Sequence, residues 1–184
     1  MSFSVAKTKS GVSVVVAKGA IKRGDAGRLL KALDRAGRDR HGTKQLVLDS
    51  PGGLVVEALM MADVMGAVGV TTVVRKGAIC ASACASILFV SGKYRTVEKG
   101  GALAIHSCYD SRNGEAMSEC NAVISAHADA VGVSGSTMMA LQEAAGSGAI
   151  IVFDTKDAAC FGLTLKPGAR PSTKTPPCLR RNRR

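Results

Sequence analysis

Short apolar runs alternate with amphipathic stretches along most of this chain. Residues 11–19, GVSVVVAKG, are rich in β-branched side chains and bounded by glycines, which predicts a buried strand. Residues 24–40, GDAGRLLKALDRAGRDR, place Leu29, Leu30, Leu33 and Ala36 on one helical face and charges on the other, so an amphipathic helix is expected. KQLVLDS at 44–50 predicts a second strand, stopped by SPGG. LVVEALMMADVMGAV at 54–68 predicts a helix apolar nearly all round, which calls for burial inside the protein or at a subunit contact. GVTTVVRKG at 69–77 predicts a third strand, and AICASACASILF at 78–89 a third helix.

Beyond residue 90 the elements shorten. KYRTVEKGGALAIHS at 93–107 predicts two strands around Gly100 and Gly101, the second closing on His106. Helices are expected at about 115–131 and 135–145, then a strand in AIIVFD and a helical turn in TKDAACFGL. Strand and helix alternating at these lengths make βαβ units, so the expected fold class is α/β, a mostly parallel sheet flanked by helices and joined by right-handed crossovers. A length of 184 residues suits one domain with its own core. No internal repeat interrupts it.

The formal net charge of +11 suggests nucleic acid until it is located. Seven of the 25 basic residues and none of the 14 acidic ones lie between Lys166 and Arg184, leaving 18 against 14 in the body, an ordinary surface balance. Four of the five prolines share that end. Residues 1–165 are therefore expected to fold, and 166–184 to form a basic, proline-rich mobile tail, either simply solvated or touching an acidic partner such as nucleic acid or anionic lipid. Without Trp, and with two Tyr and four Phe, the body is poor in the aromatic platforms that bind single strands.

The N-terminus offers no basic region and too short an apolar run before Lys18 to predict a signal peptide. No apolar stretch reaches the ~18 residues of a membrane span, because Arg75 and Lys76 interrupt the longest candidate. As written the chain is expected in the cytoplasm, or in the periplasm if a leader has been removed. The even count of six cysteines permits disulfides in an oxidising compartment.

Candidate chemistry gathers around Ser82, which stands between Cys80 and Cys84 at the expected entrance of the third helix. Free N–H groups and a positive dipole end there favour an anion. The plain alternative is a serine N-cap. Pro51 stops the second strand, and Gly52-Gly53 let the backbone turn and present an N–H toward the C-terminal edge of the sheet, where open α/β sheets bind ligands. The N–H groups of Gly53 and Ala83 can thus converge on one oxygen as an oxyanion hole. His106, 24 residues after Ser82, supplies a base suited to neutral pH. His41, in a polar turn, and His127, within a helix among alanines, fit that role less well. Cys80, Cys84, Cys108 and His106 are also candidate zinc ligands, and the C-x3-C spacing falls within the zinc range, but zinc ligands normally project from loops with paired knuckles, so no metal is expected. A disulfide from Cys80 or Cys84 to Cys108, or plain buried thiols, are the other readings.

LVLDSPGGLVVEALMMADVM, GAICASACASILFVSGKYRTVEKGGALAIHS and DTKDAACFGL together resemble the ClpP-like serine peptidase family of the ClpP/crotonase superfamily, and in particular its small relatives described as periplasmic. The resemblance spans roughly residues 12–165 and implies repeated ββα/βαβ units. It also implies Ser82 as nucleophile, His106 as base, and Gly53 with Ala83 as the oxyanion hole, acting on a peptide or protein substrate without a cofactor. The family's aspartate lies about twelve residues before the glycine of the closing motif; counting back from Gly162 reaches Ile150, and Asp110, Asp154 and Asp157 do not match that position. Self-association is a common trait of the family, which implies a homo-oligomer. Any ATP-dependent unfolding requires a separate partner. A catalytically silent oligomeric scaffold is the alternative function, and acyl-CoA chemistry of the crotonase branch a third, which needs no Ser–His pair.

Overall fold

The computed structural model describes all residues except Lys9, Ser111, Ser147 and 182–184. Five strands form the main sheet in the order β1-β2-β3-β4-β6: β1 (Ser2–Lys7), β2 (Ser13–Lys18), β3 (Lys44–Asp49), β4 (Val70–Val74) and β6 (Tyr94–Val97). All neighbours are parallel except β1, which pairs antiparallel at the edge. A three-stranded sheet joins β5 (Ile79–Ala81), β7 (Ala102–Ile105) and β8 (Ile151–Phe153), with β5 parallel and β8 antiparallel to β7. The expected α/β class with a mostly parallel sheet is therefore the observed one.

Alternation within strands decides the layers. Val15, Leu46, Leu48, Val70 and Val74 face the main core, which receives Leu29 and Leu33 of α1 (Asp25–Asp34) and Met61 and Met65 of α2 (Val55–Val68). The opposite parity, Val14, Val47 and Val73, forms a small second cluster on the other face. The carboxylate of buried Glu57 accepts the Ala26 N–H at 2.8 Å, fixing α2 to the start of α1. The outer side of α2 stays open to solvent, with Val56 72 % and Met60 52 % exposed.

Four expectations change. The predicted helix at 24–40 ends at Asp34, because Asp39 accepts from the Thr43 backbone and hydroxyl to make a turn before β3. The predicted helix at 78–89 is instead a strand, β5, then Ser82, then a π-helical segment over Cys84–Phe89; pairing of Cys80 with Leu103 outcompetes local helical propensity. The two strands around Gly100-Gly101 enter different sheets instead of one common sheet. Finally, the basic C-terminal segment is held as far as its described residues reach: Cys178 is disulfide-bonded to Cys160, Ser172 bridges to Val133, and Pro176 is buried. It carries a short helix, α6 (Pro177–Arg181).

Arg95 fixes the stretch that leads into that segment. It is 2 % exposed, yet among the described residues its guanidinium hydrogen-bonds only carbonyls: Nε donates to Leu163 O at 2.9 Å, and Nη1 to Val90 O at 3.0 Å and to Gly92 and Val131 at 3.3 Å. Its backbone exchanges hydrogen bonds with Leu165. Burial pushes its pKa down to about 10, so it remains charged at neutral pH.

Candidate active site

Ser82 follows β5 directly, and His106 follows the adjacent parallel strand β7. Both leave the same C-terminal edge, where Ser82 N donates to Ala104 O at 2.8 Å. The end of β3 completes the edge. Ser50 bridges to Cys80, with Ser50 N on Ile79 O at 2.7 Å and Ala81 N on Ser50 O at 2.9 Å, so the turn after β3 lies against the serine. Strand β5, which the sequence pattern does not announce, carries this contact.

Ser82 has φ +55°, the one positive φ among the described non-glycine residues. A left-handed conformation costs an L-residue with a Cβ about 1–3 kcal/mol, and such strain collects at functional sites. The carbonyl of Ser82 accepts from Ala85 N and Ser86 N at 2.9 Å each and from Ser86 Oγ at 3.0 Å, which starts the π-helical segment. The serine is thus no ordinary N-cap, because its φ is left-handed and no described hydrogen bond uses its hydroxyl.

Gly52, to which the sequence assigns only the turn, is the glycine that touches the serine. At φ +95°, a Cβ there falls 2.6 Å from Ser82 Cβ and 2.7 Å from Ala81 O, so only glycine fits. Gly53 has φ +144° and packs on the backbone of Ile21, whose N–H donates to Gly52 O at 2.7 Å and whose carbonyl accepts from Leu54 N at 3.2 Å. Among the described residues, the turn's bonds leave the Gly53 N–H without an intramolecular acceptor. Ala83 is the cap residue of the π-helical segment, next to Ser82.

His106 is half-buried, and its Nδ1 lies 2.6 Å from the Ser107 carbonyl. A carbonyl only accepts, so Nδ1 carries the proton and Nε2 is the basic nitrogen of the neutral ring. The acceptor segment is itself held: buried Asn121 in α3 (Ser118–Ala130) accepts from Cys108 N at 2.8 Å and donates to Ser107 Oγ at 2.6 Å. Gln142 in α4 (Gly135–Ala145) donates to the same Asn121 oxygen at 3.0 Å. No hydrogen bond joins Ser82 Oγ to His106 among the described residues. The three carboxylates considered from the sequence are engaged elsewhere. Asp110 pairs with Arg112, while Asp154 and Asp157 form the capping box of α5 (Thr155–Cys160).

All six cysteines are bridged, as Cys80–Cys84, Cys108–Cys120 and Cys160–Cys178. This corrects the pairing of Cys80 or Cys84 with Cys108. Cys80 and Cys84 stand one short turn apart, with Cα atoms at 5.2 Å, whereas Cys108 lies beyond the end of β7 beside α3. Among the described residues, no group of three or more His, Cys, Asp or Glu is arranged to hold a metal ion.

The other histidines lie apart. His41 lines a groove of about 540 Å³ on the opposite face of the main sheet, with Asp39, Thr71, Tyr94, Thr96 and Glu98; none of Ser82, His106, Gly53 or Ala83 reaches it. His127 Nε2 sits 2.8 Å from Ser91 Oγ, linking α3 to the turn after the π-helical segment. Burial lowers its pKa from 6.5, against the opposing pull of the Asp63 carboxylate and the Ile87 carbonyl. The unfolded chain therefore takes up this proton first. The contribution to stability is complete above about pH 6.5 and is lost as pH falls through the folded value. The expected outcome is a Tm that declines on mild acidification in the parent and declines less in His127→Gln, read by thermal unfolding across pH 5–7.5.

With this geometry in view, the solved structures supply a fold. The catalytic domain of the ClpP protease from Plasmodium falciparum superposes with a TM-score of 0.60 at 16% identity, covering 84% of this chain and 86% of that one. A second structure, described only as an enzyme, gives 0.61 at 14% identity over 82% and 92%. No family model and no curated protein matches the sequence. The chain has the fold of a ClpP-type protease catalytic domain.

Proposed function

We propose that this protein is a serine peptidase of the ClpP-like type, with Ser82 as nucleophile and His106 as general base. The observation that carries the reading is the left-handed Ser82 turn on the strand next to the one that delivers His106, with the imidazole already in the tautomer a base needs. In the proposed reaction Ser82 Oγ attacks a peptide carbonyl while His106 Nε2 takes the hydroxyl proton. The Gly53 and Ala83 N–H groups stabilise the oxyanion, and the proton then passes to the departing amine. Water, deprotonated by the same ring, releases the acyl group and restores the serine. The Ser107 carbonyl orients the ring where a carboxylate usually does. Being neutral, it stabilises the imidazolium less, so a modest turnover is expected. The test is labelling by a fluorophosphonate, which reports the reactive serine without knowledge of the substrate.

The silent-scaffold reading draws on one observation: among the described residues His106 Nδ1 meets a carbonyl and no carboxylate hydrogen-bonds it. It predicts a folded oligomer that no serine-directed reagent modifies.

Self-association is proposed through the open side of α2, where Leu54, Val56 and Met60 are 53 %, 72 % and 52 % exposed. Val56→Asp is expected to shift sedimentation toward smaller species without changing the circular dichroism of the protomer; unchanged sedimentation removes α2 from the interface. The basic C-terminal segment remains a proposed contact for an acidic partner. Among the described residues no helix is long and apolar enough to cross a membrane. Three disulfides fit an oxidising compartment better than a reducing one.

A further inference from the structure

The Cys80–Cys84 disulfide spans Ser82, which lies midway between the two sulfur-bearing residues. Both cysteines are fully buried, Cys80 in β5 beside Leu103 and Cys84 at the first position of the π-helical segment. With a sequence separation of 4, against 12 and 18 for the other bridges, it closes the shortest loop of the three. A bridge stabilises chiefly through the unfolded-chain entropy it removes, and that is least for the shortest loop. Its contribution must therefore lie mainly in local conformation. The conformation it encloses is the strained one: residues in left-handed space persist only where the surroundings over-determine them. Strand pairing fixes Cys80, helical hydrogen bonding fixes Cys84, and the covalent link sets the distance between them, leaving the intervening residues a sharp turn.

We propose that the Cys80–Cys84 disulfide is a positioning clamp that holds Ser82 in its left-handed conformation, so that the serine is reactive in the oxidised protein and loses that reactivity when the bridge is reduced. The statement about reactivity rests on the assignment of Ser82 as nucleophile. The statement about conformation does not. Reduction requires a dithiol reductant: its two thiols close to a disulfide, and two electrons and two protons pass to the sulfurs of Cys80 and Cys84.

The test is a cycle of four full-length proteins, the parent, Cys80→Ala/Cys84→Ala, Ser82→Gly and the triple variant. Glycine accepts φ +55° without strain, so Ser82→Gly is expected to raise Tm in the parent. Without the bridge the turn relaxes, and the same substitution is expected to raise Tm little or not at all. Fluorophosphonate labelling of Ser82 is expected to slow about a hundredfold in Cys80→Ala/Cys84→Ala, the scale of a misplacement near 1 Å. A Cys108→Ala/Cys120→Ala control is expected to keep the parent's labelling rate. An equal Tm gain in both backgrounds, or equal labelling with and without the bridge, overturns the clamp. If the parent itself does not label, the nucleophile assignment fails and the Tm cycle alone decides the clamp. Cys80→Val/Cys84→Ala, which fills more of the vacated space, takes the place of the double alanine variant if that one does not fold.

Discussion

Ser82→Ala is expected to abolish fluorophosphonate labelling and to lower peptide hydrolysis on the order of 10⁴- to 10⁶-fold, the range seen when a serine hydrolase loses its nucleophile. The reason is the balance of the first step. Without Oγ no acyl-enzyme forms, and only the amide donors and binding remain to favour direct attack by water. The fold should survive, because the bonds that shape the turn use the backbone of Ser82: its N–H meets Ala104 O, and its carbonyl takes Ala85 N and Ser86 N. Alanine keeps a Cβ at φ +55°, so the strain persists and Tm should change little. His106→Ala is expected to slow labelling on the order of 10²- to 10⁴-fold, the contribution of a positioned base. Labelling mapped by peptide mass spectrometry to a residue other than Ser82, or retained in full by Ser82→Ala, refutes the assignment.

The largest effect on stability is expected at Arg95. Arg95→Leu removes donors from four carbonyls, those of Val90, Gly92, Val131 and Leu163, and leaves them facing an apolar side chain. Hydrogen bonds to a charged donor and the cost of stranding buried acceptors together make about 3–5 kcal/mol, a large fraction of the 5–15 kcal/mol typical of a domain. For a domain of this size that corresponds to a Tm lower by about 6–20 °C. Lysine at this position offers a single ammonium where the fork reaches several carbonyls, so Arg95→Lys should recover only part of the loss. Chemical denaturation followed by circular dichroism reads both variants; a drop within about 0.5 kcal/mol, as for ordinary surface substitutions, contradicts the account.

The effects differ in kind because the two residues sit on different links of the chain from sequence to function. Arg95 ties β6 to the turn after the π-helical segment, to the end of α3 and to Leu163 just before the C-terminal segment, so its loss is felt throughout the fold. Ser82 is held at an edge by backbone hydrogen bonds and the Cys80–Cys84 bridge, none of which uses its hydroxyl, so its side chain can be deleted without loosening them. Ser82→Ala should therefore reveal chemistry, and Arg95→Leu stability.

Local sequence pattern was enough to read β2, β3, β4, α1 and α2: α1 records its buried face in its own residues, and the others are apolar runs of strand or helix length. It was also enough to nominate Ser82, His106, Gly53 and Ala83, since each borders an element whose end is marked by Pro51, by a glycine or by the close of an apolar run. Pairing was not legible in the same way. The short, largely exposed β1 exists because it hydrogen-bonds to β2, and β5 is a strand because β7 lies beside it. Connectivity of the six cysteines, the contact of Gly52 with Ser82, the Ser107 carbonyl on His106 and the four carbonyls around Arg95 all join residues distant in the chain or set by an unusual local turn. Burial of a face is a property that one segment carries in its own residues, whereas a partner is chosen only when the whole backbone has folded and every competing neighbour has taken its place.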